Sequence, residues 1–407
     1  MKRIALILAI LAIAACDISL ETDMGNPRKP LELTTKQESY VAVGNSFAFH
    51  YLESIEAAAT KDYVVSPLSM QFLLGMILDG ARGKTADEIC ATLGFGKDET
   101  AEVNEYCRNM LAQLPKLDAM TSLMLANAIF VDDGYKLNDS YMETVRRYYG
   151  ATASNLDFSD TKASADVINK WCSDNTRGMV PKVLDETSSD ILAYLLNALY
   201  FKSQWSSRFD VAATVYEKFS LADGSADKVL MMKQYSQFDY SETELFQALT
   251  MPYGNGAFEM TVLLPKGKAT TAQVASWLRK NSWFDFRLSM YVCSADLWLP
   301  RFETAFGMEL NDLLSAMGMP TAFVGGADFS GMSPAAMCLS FVRQDAAITV
   351  DEEGSEAAAV STAGMQKNSL PGDAAPPVIF HANHPFLYLI SENSTGAILF
   401  AGRYSGK

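Results

Sequence analysis

Between Glu352 and Asn368 the chain reads EEGSEAAAVSTAGMQKN, two acids and a glycine followed by a run of small residues. An apolar, strand-like run from Ala346 to Val350 precedes it. Another, Pro377 to Phe380, follows it beyond a turn at Leu370-Pro371-Gly372. A connection of this length is either functional or unstructured, and alanine with serine alone would read as a linker. The alternation argues otherwise. Drawn as a strand, whose side chains point to opposite faces in turn, the segment places Ser355, Ala357, Ala359, Ser361 and Ala363 on one face, all small and uncharged. Glu356, Ala358, Val360, Thr362 and Gly364 fall on the other. One face suits a packed core and the other suits water, so the segment is a loop able to become a strand if a sheet opens to admit it.

The remainder has to supply that sheet. The 407 residues suggest two or three domains by length alone. Apolar content of 49% and charged content of 20% suit a globular protein with a large core. A net charge of −15 argues against nucleic acid as a partner, which would need a basic face. From Asn45 the chain takes helical spacing, with Phe47, Phe49, Leu52 and Ile55 apolar. The run Tyr63-Val64-Val65 stops at Ser66-Pro67, where serine caps and proline begins a helix with Leu73, Leu74, Met76 and Ile77 on its apolar face. Gly80 to Thr85 breaks that helix, and Thr85 with Glu88 reads as a capping box for the next.

Catalysis finds little support. A hydrolase needs a nucleophile and a base that orients it, yet the chain has three histidines, His50, His381 and His384. His50 lies in an aromatic-rich helical stretch and His384 in an Asn-His-Pro-Phe turn, both positions suited to packing. No nucleophile elbow, zinc-binding His pair, phosphate loop or dinucleotide fingerprint is present. The expectation is a protein that is not an enzyme, with no catalytic residue, no metal and no cofactor.

The run Glu352-Glu353-Gly354-Ser355-Glu356-Ala357-Ala358-Ala359 resembles the proximal hinge of the serpins, whose pattern is Glu-x-Gly-Thr/Ser-Glu-Ala-Ala-Ala. The resemblance continues in order through Ser66-Pro67-x-Ser69, Gly80-Ala81-x-Gly83-x-Thr85, Ala126 to Phe130, Ile168-Asn169-x-Trp171 and Leu196-Asn197-Ala198-Leu199-Tyr200-Phe201 with Trp205. Met251-Pro252-Tyr253-Gly254, Leu299-Pro300-Arg301-Phe302, Asp328-Phe329-Ser330, Asn383-His384-Pro385-Phe386 and Phe400-x-Gly402-Arg403 complete it, over roughly Asn45 to Arg403. It implies an α+β serpin fold over 39–407, with about three β-sheets, eight or nine helices and an exposed reactive-centre loop at about 352–376. No linker interrupts the motifs, so one domain replaces the several that length suggests.

What the resemblance implies for function is suicide-type inhibition of a protease. The target attacks the loop, forms an acyl-enzyme, and is dragged across the molecule as the cut loop enters a sheet. Family spacing from Gly354 puts the reactive bond at Asn368-Ser369, with Lys367 as an alternative anchor for a trypsin-like target. The shutter and breach positions are Asp62, Ser66, Pro67, Ser69, Asn197, Trp205 and Gln344. Asp62 and Gln344 depart from the family's asparagine and histidine, and Gln344 is expected to donate to Asp62. Ser203 stands where glycine is common. The implied partners are serine-type proteases, with cysteine-type proteases as a second class. The acidic stretch Thr85 to Lys116 argues against a heparin-type cofactor, and a monomer is expected. The competing reading is a non-inhibitory serpin, a carrier or surface interaction protein.

The N-terminus carries its own signals. Lys2 and Arg3 precede an apolar run from Ile4 to Ala15, too short to span a bilayer and suited to a signal peptide. Ile13-Ala14-Ala15-Cys16 resembles the bacterial lipobox. That resemblance implies lipidation at Cys16 and an exported lipoprotein anchored in a bacterial membrane, at the periplasmic face or cell surface. Residues 17–38 read as a polar tether. Five further cysteines, Cys90, Cys107, Cys172, Cys293 and Cys338, lack metal-ligand spacing and are expected to be mostly buried small hydrophobes.

Overall fold

The computed structural model describes residues 26–188, 191–355 and 376–406. Cys16, Glu356 to Ala359, and Lys367, Asn368 and Ser369 lie outside the described residues.

Local chemistry starts the helices. Thr34 accepts a hydrogen bond from the Gln37 amide while the Gln37 side chain bonds back to Thr34, a capping box that opens α1 (Thr35–Ala58). The tether expected over 17–38 therefore ends sooner. Its described part packs on the body, with Leu31 buried and the Leu31 amide donating to Ser394 Oγ at 3.1 Å. Ser66 caps α2 (Pro67–Gly80), whose first residue is Pro67, as expected. α2 is apolar around nearly its whole circumference and almost wholly buried, as such a helix must be.

The expected Thr85–Glu88 capping box is not formed. α3 (Gly83–Leu93) begins two residues before Thr85, so Thr85 sits inside it and its hydroxyl accepts from the Asp328 amide at 2.9 Å. Glu88 turns to Thr321 instead. Six more α-helices are described: α4 (Thr100–Gln113), α5 (Asp139–Tyr149), α6 (Thr161–Asn175), α7 (Thr271–Lys280), α8 (Trp283–Leu288) and α9 (Asn311–Met317).

Two sheets are present among the described residues where about three are expected. The smaller runs β10 (Phe302–Glu309), β11 (Phe341–Val350), β4 (Ala193–Gln204), β2 (Ser122–Asp132), β3 (Thr152–Leu156), with β12 (Gly354–Ser355) attached to β4. The larger runs β1 (Tyr63–Val65), β15 (Ile398–Tyr404), β14 (Phe386–Glu392), β8 (Phe258–Pro265), β7 (Phe246–Tyr253), β6 (Ala226–Glu242), β9 (Tyr291–Pro300), β13 (Val378–His381), with β5 (Val215–Ser220) on β6. The count falls because β6 is 17 residues long. Its start pairs with β5, its middle with β9 and its end with β7, joining strands that would otherwise form two sheets.

The main core lies between the two sheets and includes α1 and α2. A second cluster, with Phe130, Ile168, Cys172, Tyr194 and Leu196, packs α6 on the opposite face of the smaller sheet. α2 presents its capped N-terminus to the junction of β11 and β4, and that junction is where the site is built.

Candidate functional site

Alternation places odd-numbered β4 residues from Leu195 to Ser203 toward the main core and even-numbered ones toward α6. β11 pairs with β4 in parallel from Phe341↔Tyr194 to Ala346↔Leu199, and their mutual pairing stops there. Each strand keeps its outer neighbour further on, β11 with β10 as far as Val350↔Phe302 and β4 with β2 as far as Ser122↔Lys202. Beyond Ala346 and Leu199 the two inner edges diverge and enclose a lane. β12 heads that lane, antiparallel to β4 through Gly354↔Gln204 and Ser355↔Ser203.

The hinge is held at the head of the lane by backbone chemistry. Asp351 Oδ1 accepts from the amides of Glu353 (2.9 Å) and Gly354 (3.1 Å), and the Asp351 amide donates to Gly354 O at 2.9 Å. Trp205 donates twice, from its amide to Glu353 O (2.7 Å) and from Nε1 to Asp351 O (2.9 Å). The Phe209 amide donates to Glu352 O at 3.0 Å. Glu352 is buried, and Arg301 lies 3.6 Å from its carboxylate. Gly354 has φ +152°, and a Cβ there would collide with the Ser203 carbonyl oxygen, so only glycine fits.

Ser355 is fully buried, with its hydroxyl 2.9 Å from the Tyr253 hydroxyl. Tyr253 stacks on Trp205 at 4.2 Å, and burial raises its pKa well above the ordinary tyrosine value, so the hydroxyl stays protonated. The inward position expected for Ser355 is the one observed.

Below the lane, three side chains form a row across three strands. Gln344 on β11, Asn197 on β4 and Asn127 on β2 are register partners. Gln344 Nε2 donates to Asn197 Oδ1 (3.1 Å) and Ser66 O (2.9 Å), while its Oε1 accepts from the Ser66 amide (2.9 Å) and the Tyr51 hydroxyl (3.3 Å). Asn197 Nδ2 donates to Ser69 Oγ (2.5 Å) and Asn127 Oδ1 (2.9 Å). Ser66 Oγ donates to Leu399 O at 2.7 Å. This buried network ties β11, β4 and the start of α2 together.

The expected bond from Gln344 to Asp62 is not formed. β1 pairs with β15 from Tyr63, which carries Asp62 to the end of the chain, where its Oδ1 accepts from the amide and hydroxyl of Ser405. Pro67 occupies the first position of α2, below that network.

The polar partners of Ser203 escape a sequence reading. Ser203, buried at the head of the lane, lies 2.7 Å from Thr121 Oγ1, which is 2.6 Å from Asp118 Oδ2. Asp118 in turn accepts from Asn26 Nδ2 at 2.6 Å. A chain of polar contacts therefore runs from the N-terminal segment to the strand that holds the hinge. No local pattern marks the pairing of Asn26 with Asp118, because the two are 92 residues apart in sequence. Asp351 has a local signal, an acid three residues before a glycine that requires a turn.

The histidines serve packing: burial lowers the pKa of His50, and His384 Nε2 is 2.8 Å from Pro265 O. Cys90, Cys107 and Cys172 are buried free thiols, and Cys293 and Cys338 are half-buried free thiols. Burial pushes the Cys172 thiol up to about 12.

The family model described as Serpin (serine protease inhibitor) matches residues 42–406. The chain belongs to the serpin family. It is 31% identical to human Serpin B3 over 388 residues, covering 88% of this chain and 97% of that protein. An uncharacterised serpin-like protein of Thermococcus kodakarensis is 33% identical over 88% of this chain and 84% of its own length. Among solved structures, the thermophilic serpin tengpin in its native state superposes with a TM-score of 0.82 at 24% identity, covering 94% of this chain and 97% of its own. Human thyroxine-binding globulin complexed with thyroxine matches at 0.82 and 26% identity, covering 91% and 98%. The serpin fold expected from the ordered motifs is the fold observed. Serpins are mostly protease inhibitors rather than catalysts, and the family also includes thyroxine-binding globulin.

Proposed function

We propose that this serpin inhibits a serine-type protease, with cysteine-type proteases as a second class, by inserting its cut reactive-centre loop into the smaller sheet. The observation that carries the reading is the lane between β11 and β4, already headed by Gly354 and Ser355. Strand register is maintained residue by residue once set. Continued past Ser355↔Ser203, it brings Ala357 opposite Phe201, Ala359 opposite Leu199 and Ser361 opposite Asn197. Every inward position along that path is small and uncharged, so nothing bulky has to pass between the strands.

About a dozen new ladder hydrogen bonds at about 1 kcal/mol each supply on the order of 10 kcal/mol to the insertion. A tethered protease is disabled because displacement of about 1 Å within an active site costs about 100-fold in rate. The carrier reading rests on the likeness to thyroxine-binding globulin and requires no covalent complex with any protease.

The test is incubation with a panel of trypsin-, chymotrypsin- and elastase-like enzymes, followed by denaturing gels and mass spectrometry of the released peptide. A covalent complex is expected. The released peptide should begin at Ser369, or at Asn368 for a trypsin-like target that anchors on Lys367. A peptide that starts before Met365 or after Gly372 in every complex refutes that bond.

The same proposal places the protein in a bacterial envelope, exported and anchored through a lipid on Cys16. The Ile-Ala-Ala-Cys sequence behind a short apolar run supports this reading. Among the described residues no helix is long and apolar enough to cross a membrane. The expressed protein should partition into detergent, and Cys16→Ala should move it to the aqueous phase. Unchanged partitioning in the variant excludes lipidation.

A further inference from the structure

The outer face of a surface helix is ordinarily polar, and α8 breaks that rule together with the strand that follows it. Phe284, Leu288, Tyr291 and Val292 fall within nine residues and stand 65%, 70%, 56% and 64% exposed. Phe284 and Leu288 are four residues apart on α8, so they share a face. The other side of the helix is committed to the body. Trp283 and Phe286 are buried, and Trp283 packs edge-on against Phe49 of α1. Arg287 donates to Glu259 Oε1 (2.9 Å) and to Asn393 O (2.7 Å), which pins the helix to the larger sheet. The apolar side chains are therefore held outward on a fixed support, and clustered exposed apolar surface marks a contact with another protein or a membrane.

This patch lies beside the first described residues of the chain. Asn393, which accepts from Arg287, donates from Nδ2 to Gly256 O at 3.1 Å. The neighbouring Asn255 donates to Asn26 Oδ1 at 3.3 Å, and Leu31 is tied to Ser394. Two short turns thus join α8 to the N-terminal segment.

We infer that this face seats on a lipid bilayer, with Phe284 and Leu288 entering the boundary between head groups and acyl chains. The inference rests on the lipid-anchor reading above and names the part of the body that meets the membrane. Two observations favour a bilayer over a protein partner. The first is position: the patch adjoins Asn26, the end of the body nearest in sequence to Cys16, so a lipid there would hold this end against the membrane and not the opposite one. The second is charge. Arg279 and Lys280 are exposed at the end of α7, and Arg28 and Lys29 are exposed just after Asn26, with Arg28 against Gly256. In a chain of net charge −15, cations beside exposed aromatic and aliphatic side chains are the pattern of an interfacial contact. Asp285 is exposed within α8 itself, so the apolar side chains carry the contact and the surrounding cations orient it.

The test is fluorescence quenching by lipid. The full-length protein is mixed with an excess of phosphatidylethanolamine–phosphatidylglycerol vesicles, with or without bromine on the acyl chains near the head groups. Leu288→Trp adds a reporter to the patch. Tyr135→Trp adds one beyond the far end of β2, whose eleven residues span roughly 35 Å from the end where Asp118 holds Asn26. The emission of each reporter is the difference from wild type. Brominated lipid is expected to lower it about twofold for Leu288→Trp and to leave it unchanged for Tyr135→Trp, at wild-type melting temperatures. Quenching at Leu288→Trp no greater than at Tyr135→Trp overturns the inference, and a lipid-free dimer that Leu288→Asp splits would then assign the face to a second copy. If Leu288→Trp melts early, Phe284→Trp is held to the same comparison. Detergent partitioning of Cys16→Ala decides the anchor separately: a patch quenched in a chain that carries no lipid keeps the surface and loses the anchor, while intact partitioning without quenching does the reverse.

Discussion

Ser355→Arg should convert the protein from inhibitor to substrate. Ser355 is fully buried at the head of the lane, against Tyr253 and paired with Ser203, and Tyr253 is itself covered by Trp205. That pocket has space for a hydroxyl and none for a guanidinium. Asp351, the nearby acid, already accepts two backbone amides. Forcing the cation in costs several kcal/mol, so the first residue of the inserting strand is rejected. Attack on the distant bond should proceed at the wild-type rate, insertion should become slower than deacylation, and active protease should be released. Glu356→Arg, one residue on and outward by alternation, should leave most trapping intact. Wild type should melt far higher once cut, and Ser355→Arg should gain little. If Ser355→Arg yields as much covalent complex as wild type, insertion through this hinge is not the mechanism.

Gln344→Ala should loosen the closed sheet. Gln344 makes four buried hydrogen bonds, two to the Ser66 backbone and one each to Tyr51 and Asn197. Truncation leaves those groups without that partner in a dry site, at about 1–3 kcal/mol for each buried group left unsatisfied. A total of about 3 kcal/mol corresponds, for a domain of this length, to an apparent Tm lower by roughly 4 °C. The bond from Gln344 to Asn197 spans the junction that must part for insertion, so the uncut variant should also lose inhibitory activity faster on standing. Thermal unfolding and activity half-life measure the two effects. A variant with wild-type values for both would mean that the network does not hold β11 to β4.

The hinge is legible from sequence because its constraints are local. Gly354 is required by a close backbone approach, and the small Ser355 after it fits the buried position beside Ser203. The start of α2 is legible for the same reason, since Ser66 and Pro67 act within one turn. The partner of Gln344 is not legible. It depends on the register of β11 against β4 and on where β1 starts, which together give the side chain to Ser66 and Asn197 and send Asp62 to Ser405. Thr85 matches a capping box, but the preceding glycine at +52° starts the helix earlier and frees the hydroxyl for a remote amide. The polar composition of 17–38 suggests a tether, yet Leu31 and Asn26 find partners far along the chain. The sheet count fails because no residue in β6 signals that one strand changes partners twice along its length.

The polar chain from Asn26 through Asp118 and Thr121 to Ser203 fixes the N-terminal segment at the pole from which the reactive loop departs. With Cys16 lipidated, ten residue steps separate the bilayer from Asn26, a reach of roughly 35 Å. A domain of about 380 residues is roughly 55 Å across. A lipid on Cys16 would thus hold the bait in a thin layer next to the membrane, where it would meet proteases working at the surface ahead of those diffusing in bulk. A strand of about twelve residues spans roughly 40 Å, so each completed insertion would carry a captured protease about that far along the body, out of that layer.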